Sequence, residues 1–191
     1  MVDWTNEKII EDLKTSIRIF EKELGHSPKI FSYPFGEYSN DFIKIVKDLN
    51  FKFAFGQHSG VIDRTKKHLT LPRFPINEKY GEIKRFKSIL KTLPFPYENI
   101  TPENRYLKEN ENPPNVKIKF FDDLINVENI NCYSNEGNIW NKSKISFTSK
   151  SELSIKLNQK FKSERGRINC SLRENDGRWR WLGIQYVIAE Y

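Results

Sequence analysis

Phe31-Ser32-Tyr33-Pro34-Phe35-Gly36-Glu37-Tyr38-Ser39 is the stretch whose reading decides the fold. The apolar run that begins at Lys29-Ile30 stops at Pro34, whose ring fixes φ and removes a ladder donor. Gly36 supplies the backbone freedom that a tight turn needs. Ser39 or Asn40 can then cap a helix whose apolar face is Phe42, Ile45, Val46 and Leu49. The segment therefore reads as a strand end, a Pro-fixed turn and a helix start. In an α/β fold the C-terminal end of a strand is where site residues gather, and a turn there can aim N–H groups at an oxyanion.

Upstream, Ile10, Leu13, Ile17, Phe20 and Leu24 recur at spacings of three and four, which places them on one helix face. Thr5 or Asn6 can cap its start, Glu7 and Glu11 suit the positive end of its dipole, and Gly25 ahead of Ser27-Pro28 ends it. Downstream, Asn50 closes the second helix and Phe51-Lys52-Phe53-Ala54-Phe55 reads as the next strand. A loop from Gly56 to Lys67 leads to a segment from Leu69 to Phe74. A weaker helix over 82–90 follows, with Ile83, Phe86, Ile89 and Leu90 inward. Helices alternating with short apolar strands indicate an α/β unit with parallel strands.

Residues 94–115 change character, with Pro94, Pro96, Pro113 and Pro114 bracketing a stretch rich in Asn and Glu, which is a linker composition. Beyond it the period switches to two: Val116, Ile118 and Phe120, then Leu153, Ile155 and Leu157, then Ile168, Cys170 and Leu172, then Trp179 and Trp181. Asn135-Glu136-Gly137 and Asp176-Gly177 are hairpin turn signals between such runs. Six to eight short strands over such a span predict a β-sandwich.

Composition narrows the function classes. Fourteen Phe, eight Tyr and four Trp argue for packed structure rather than disorder. Thirty-two Lys and Arg against twenty-five Asp and Glu give a net charge of +7, but the charges are interleaved. That pattern reads as a solvated basic surface, and no nucleic-acid partner is expected. No apolar run reaches the roughly 18 residues of a membrane span. The opening, Met1 to Lys14, has no export-signal pattern. Cys132 and Cys170 form no Cys-x-x-Cys pair, which excludes a zinc ribbon or thioredoxin-type site. On separate strands they either join in one disulfide or stay as buried thiols.

The Pro34-Phe35-Gly36 turn resembles the third motif of the NodB-type polysaccharide deacetylases, Arg-x-Pro-aromatic-Gly at the mouth of a distorted β/α barrel. The order that follows is similar to that family as well: a helix, Phe53-Ala54-Phe55-Gly56, a loop, then Leu71-Pro72-Arg73-Phe74-Pro75. The fold class implied is α/β plus all-β: a partial NodB-like barrel over 1–96, a linker over 97–115 and a small β-sandwich over 116–191. The resemblance implies hydrolysis of N-acetyl or O-acetyl groups on a carbohydrate polymer. In that family a divalent metal, commonly zinc, is held by one Asp and two His, with a second Asp as base and a later His as acid. It also implies that the backbone N–H of Phe35 contacts the oxyanion, and it puts Tyr33, Pro34, Gly36, Tyr38 and Arg73 on the substrate side.

Two departures shape the expectation. Ser32 occupies the position of the motif's Arg, which in many members orients the base. The family's metal-binding motifs precede the turn, so the chain begins too late to contain them. Met1 then reads as an internal start or fragment boundary, the chain as an inactive fragment that binds metal poorly, and its partners as the missing N-terminal half or a second copy. For the intact protein the resemblance suggests an extracytoplasmic or cell-envelope location.

Other residues bear on the same chemistry. Phe120-Phe121-Asp122-Asp123-Leu124 resembles the family's Phe-Asp-Asp-Gly, but a strand end and solvated turn is the simpler reading. His26, His58 and His68 lack ligand spacing; His58, after a strand, is the best placed of them, though a loop role is simpler. Arg73 can bind a carboxylate or sugar, or make a structural ion pair. Tyr33 and Tyr38 can stack on a sugar or pack. In the last hairpin, Trp179 and Trp181 share one face and Arg178 and Arg180 the other. The tryptophans are expected in the sandwich core beside Cys170. The alternative is an outward sugar platform in a non-catalytic binding protein.

Overall fold

The computed structural model describes residues 3–121, 127–136 and 139–189. Helix α1 (Asn6–Leu24) begins where extended Thr5 accepts the Lys8 N–H at 3.4 Å, and it ends at Gly25, whose φ of 73° is left-handed. Its buried residues are Ile9 and Leu13. Strand β1 (Ile30–Ser32) runs into a single 3₁₀ turn at Pro34–Gly36. Helix α2 (Asn40–Asp48) follows, with the Ser39 hydroxyl accepting the Phe42 N–H at 3.1 Å. Asn50, at a φ of 65°, turns the chain into β2 (Phe53–Phe55). Strands β1 and β2 pair in parallel, with Ile30 opposite Phe53 and Ser32 opposite Phe55.

Both helices cover one face of this pair. Phe31, Tyr33, Phe42 and Phe51 meet there in ring contacts of 5.1 to 5.9 Å, around buried Val46 and Ala54. Burial of such side chains stabilises by roughly 1.5–3 kcal/mol each, so this cluster fixes how the helices sit. The opposite face leaves Ile30 and Phe53 exposed. Two strands do not make a barrel, and the described residues form an α plus β arrangement with no closed barrel. Helix α3 (Ile83–Leu90) differs from its expected packing: Ile83, Phe86 and Leu90 are exposed. Its two turns have no buried residue of their own, and half-buried Arg85 attaches the helix instead, donating to the Pro75 and Tyr80 carbonyls.

The remaining strands are β3 (Asn99–Thr101), β4 (Tyr106–Leu107), β5 (Val116–Lys119), β6 (Asn131–Ser134), β7 (Asn141–Lys142), β8 (Lys144–Ser149), β9 (Glu152–Lys156), β10 (Arg165–Arg173) and β11 (Trp179–Ile188). They form a five-stranded sheet in the order β4-β11-β10-β6-β7 and a four-stranded sheet in the order β3-β5-β9-β8. Val116, Ile118, Leu153 and Ile155 from one sheet join Ile168, Cys170, Leu182 and Ile184 from the other in one apolar cluster. The stretch with linker composition holds β3 and β4. Ile100 and Leu107 are buried, so one apolar residue in each very short strand suffices to anchor it. Strands of two or three residues give no readable alternation, which is why composition alone suggested a linker. Asp122, Asp123, Leu124 and Gly137 lie outside the described residues.

Cys132 and Cys170 face each other across β6 and β10 and are joined in a disulfide, with Cα atoms 4.0 Å apart. Closing a loop with a sequence separation of 38 residues restricts the unfolded chain. Reduction, or a Cys132→Ser/Cys170→Ser pair, is expected to lower stability by about 2–4 kcal/mol, read as a drop in the urea midpoint. An unchanged midpoint under reductant would remove this contribution.

Candidate functional site

The turn after β1 is shaped by two consecutive left-handed residues, Phe35 with φ 55° and Gly36 with φ 73°. Gly36 is required twice over. Its φ disfavours an L side chain, and a Cβ there would lie 2.3 Å from the Gln57 backbone nitrogen. Phe35 has a costly φ for an aromatic residue, and its surroundings hold it there. The Gln185 amide of β11 donates to the Phe35 carbonyl at 3.1 Å, and the Arg165 guanidinium lies 4.8 Å from the Phe35 ring centre. Arg165 also pairs with the largely buried Glu37 at 2.5 Å. A turn on the α/β side is thus clamped from the β side.

Each residue assigned to the substrate side has a definite place. Pro34 starts the turn, and the Phe35 ring is exposed. Tyr33 and Tyr38 lie in the aromatic core rather than in the open: both are buried, and the Tyr33 hydroxyl donates to the Leu69 carbonyl at 3.1 Å. Burial pushes up the pKa of both phenols. Neither ring presents a free face to a sugar. Arg73 is half-buried and donates to the Ser32 hydroxyl at 2.8 Å. A guanidinium therefore sits beside the position where the deacetylase motif has its own Arg.

His58 follows β2 in the loop that faces the turn. Its Nδ1 is buried without a partner among the described residues, and the ring packs on Gly56, where a Cβ would lie 2.7 Å from that nitrogen. Burial, with Arg105 next in weight, pushes its pKa down to about 3. His26 lies against Phe20, with its Nδ1 3.3 Å from the Ser27 carbonyl, and His68 lies against Phe53. Among the described residues no three of His, Cys, Asp and Glu come together. The donors among the described residues do not fit the family's divalent metal.

Behind the turn the two halves of the chain are bonded along a seam. The Gly183 N–H of β11 donates to the Ser59 carbonyl at 2.6 Å, and Gly60 bridges Leu182. Arg105, just before β4, donates to the Pro102 carbonyl and to the Tyr186 hydroxyl at 3.4 Å, and it also bonds Tyr38. Lys66, buried in the adjoining loop, reaches the Phe95 carbonyl at 3.0 Å and Asp63 at 3.4 Å. Burial works against the Asp63 carboxylate, but bonds from Thr65 and the charge of Lys66 outweigh it and hold its pKa below the usual range.

The last hairpin does not place its tryptophans beside Cys170. On β10 and β11 the core face is taken by Ile168, Cys170, Leu172, Leu182, Ile184 and Tyr186, and the tryptophans fall on the opposite face. Trp179 is exposed, with the Arg173 guanidinium 5.8 Å from its ring centre. Trp181 is half-buried against Phe74 at the seam. The apolar positions of β10 claim the core for the other register, which puts Arg165, Arg167, Asn169 and Ser171 on the tryptophan face. That polar face borders a cleft of about 390 Å³, walled by Tyr80, Trp140, Trp181 and Arg167 and abutting Gln57 and Gln185. The sequence reading passed over Arg105, Arg167, Gln57 and Gln185. The strict alternation of β10 carried a signal for Arg167; the others are brought in by tertiary packing alone.

Residues 1–54 match the model of a family described as polysaccharide deacetylase, a span from α1 through the turn to β2. This agrees with the resemblance of the Pro34-Phe35-Gly36 turn to the NodB-type deacetylases. No curated protein matches the chain. No helix among the described residues is long and apolar enough to cross a membrane.

The state of His58 gives a pH test. Its ordinary pKa of 6.5 applies when unfolded, and about 3 applies when folded. The unfolded chain therefore binds the extra proton between those values. Stability from this residue is complete above the unfolded pKa and is lost as pH falls toward the folded one. His58→Gln is expected to flatten the fall in stability between pH 6.5 and pH 3, followed by urea unfolding. An unaltered slope would show that His58 is not held neutral.

Proposed function

We propose that this protein belongs to the chemistry of a carbohydrate deacetylase, hydrolysing N-acetyl or O-acetyl groups on a polymer, with the Pro34–Gly36 turn as its oxyanion-binding element. The observation that carries the reading is the doubly left-handed turn at the end of β1, within the segment that matches the family. In this reading the Phe35 N–H stabilises the tetrahedral oxyanion, the gain being largest as negative charge develops on the substrate oxygen. Pro34 and Gly36 set that N–H in place. Arg73, bonded to Ser32, supplies from the loop after β2 the guanidinium that the motif lacks at position 32. The overall fold, in the same reading, is part of a NodB-like barrel followed by a β-sandwich.

A metal would supply the polarised carbonyl and the activated water in such a reaction. The described residues hold no ligand set for it, so the reading takes the metal centre, and the acid and base, from outside them. The second reading is a non-catalytic carbohydrate-binding protein, favoured by exposed Trp179 beside Arg173.

Acetate release from N-acetylglucosamine oligomers, measured with zinc titration, separates these. The chain alone is expected to bind less than one zinc and release no acetate. A form extended by its upstream coding sequence is expected to release acetate, with turnover reduced roughly a hundredfold to a thousandfold by Gly36→Ala, the range seen when an oxyanion donor is lost. Stoichiometric zinc with turnover by the chain alone contradicts the external metal centre. An extended form that stays inactive contradicts the deacetylase reading.

A further inference from the structure

We propose that the cleft between the α/β half and the tryptophan face of β10 and β11 binds an acidic sugar chain, one bearing carboxylates. Three aromatic side chains border it: Tyr80, Trp140 and Trp181. Tyr80 and Trp140 are exposed, and the Arg85 guanidinium lies 5.2 Å from the Tyr80 ring centre. Amide side chains stand among them, Gln57, Asn77 and Asn169, while no Asp or Glu among the described residues lines the cleft. Sugars are the ligands that this mixture suits. Their C–H faces pack on aromatic rings, and their hydroxyls exchange hydrogen bonds with amides.

Two features call for a polar, negatively charged ligand. The Trp181 Nε1 is buried with no acceptor among the described residues, an uncompensated donor in the cleft wall. Arg167 is half-buried, and the side-chain contact seen for it is donation from Nε to the neutral Gln185 at 3.3 Å. Burial, and then the neighbouring charge of Arg165, lower its pKa and outweigh the opposing effect of Tyr80 and Glu37. Arg85, which also lines the cleft, adds a second cation of the same sign. A planar carboxylate offers the guanidinium two acceptors at once. The aromatic hairpin as a whole does not provide this, since Trp179 does not line the cleft.

The cleft also touches the turn. Gln185 donates to the Phe35 carbonyl while accepting from Arg167, and Gln57 packs on Gly36. A chain seated in the cleft therefore ends next to Phe35. The inference itself stands on the cleft and not on the deacetylase reading.

Calorimetric titration with a galacturonic acid hexamer, beside a chitin hexamer of equal length, tests it. The uronate is expected to bind more tightly, and raised salt is expected to weaken it. Arg167→Gln and Trp140→Ala are each expected to weaken binding by about tenfold or more, the loss of a charge-assisted bond or an aromatic contact. Trp179→Ala is expected to leave it unchanged. Trp140 is exposed, so its replacement spares the fold, which circular dichroism checks. No uronate binding, equal binding of the neutral hexamer, or full affinity in both cleft variants would each overturn the proposal. The probe carries no acetyl group, so these outcomes leave the turn's role to its own assay.

Discussion

The guanidinium of Arg105 is the interaction on which the rest of the architecture depends. It stands where the two halves of the chain meet, bonded to Tyr38 from the α/β side and to Tyr186 of β11. Its own backbone carbonyl accepts the Val187 N–H at 2.7 Å, so one residue ties side chain and main chain to the same strand. Burial lowers the pKa of this guanidinium, but Tyr186, Tyr38 and Tyr97 outweigh it and leave the pKa raised. A cation placed among phenols and a carbonyl is stable only while those partners stay put. The seam is consequently specific in geometry, whereas a purely apolar contact could slide.

From that seam follows the form of the candidate site. Exposed pairs such as Lys67–Glu103 contribute about 0–1 kcal/mol and do not decide the docking. The decisive contacts are shielded ones: Arg165 with Glu37, Gln185 with Phe35, Ser59 with Gly183, and Lys66 with Phe95. Each reaches from the β strands, or the run leading to them, to the α/β loops. The Phe35 turn is held in a costly conformation because β11 occupies the space beside it. The β portion is thus a structural wall of the turn, and the cleft is the gap left between them.

How much of this was legible in the sequence depended on the reach of each interaction. The helices α1 and α2, their caps at Thr5 and Ser39, the turn and the two parallel strands follow from local spacing and local chemistry. The alternation of β5, β9, β10 and β11 was equally plain. What could not be read was register and docking. Trp179 and Trp181 alternate as a core pair would, yet Ile168, Cys170 and Leu172 on the partner strand take the core and turn the tryptophans away. The residues 97–115 look like a spacer because their strands are too short to show a period, although Ile100 and Leu107 bury fully. Arg73 reached the position next to Ser32 from forty-one residues away, a substitution in space that no local pattern announces.

The central claim is that the α/β half and the β strands form one cooperative body through the Arg105 seam. Its most direct test is urea unfolding followed in parallel by helical circular dichroism, which reports α1 and α2, and by tryptophan fluorescence, dominated by Trp140, Trp179 and Trp181. Coincident single transitions, separating into two when Arg105 is replaced by Met, are the result this account predicts. Two separate transitions already present in the unaltered protein would contradict it.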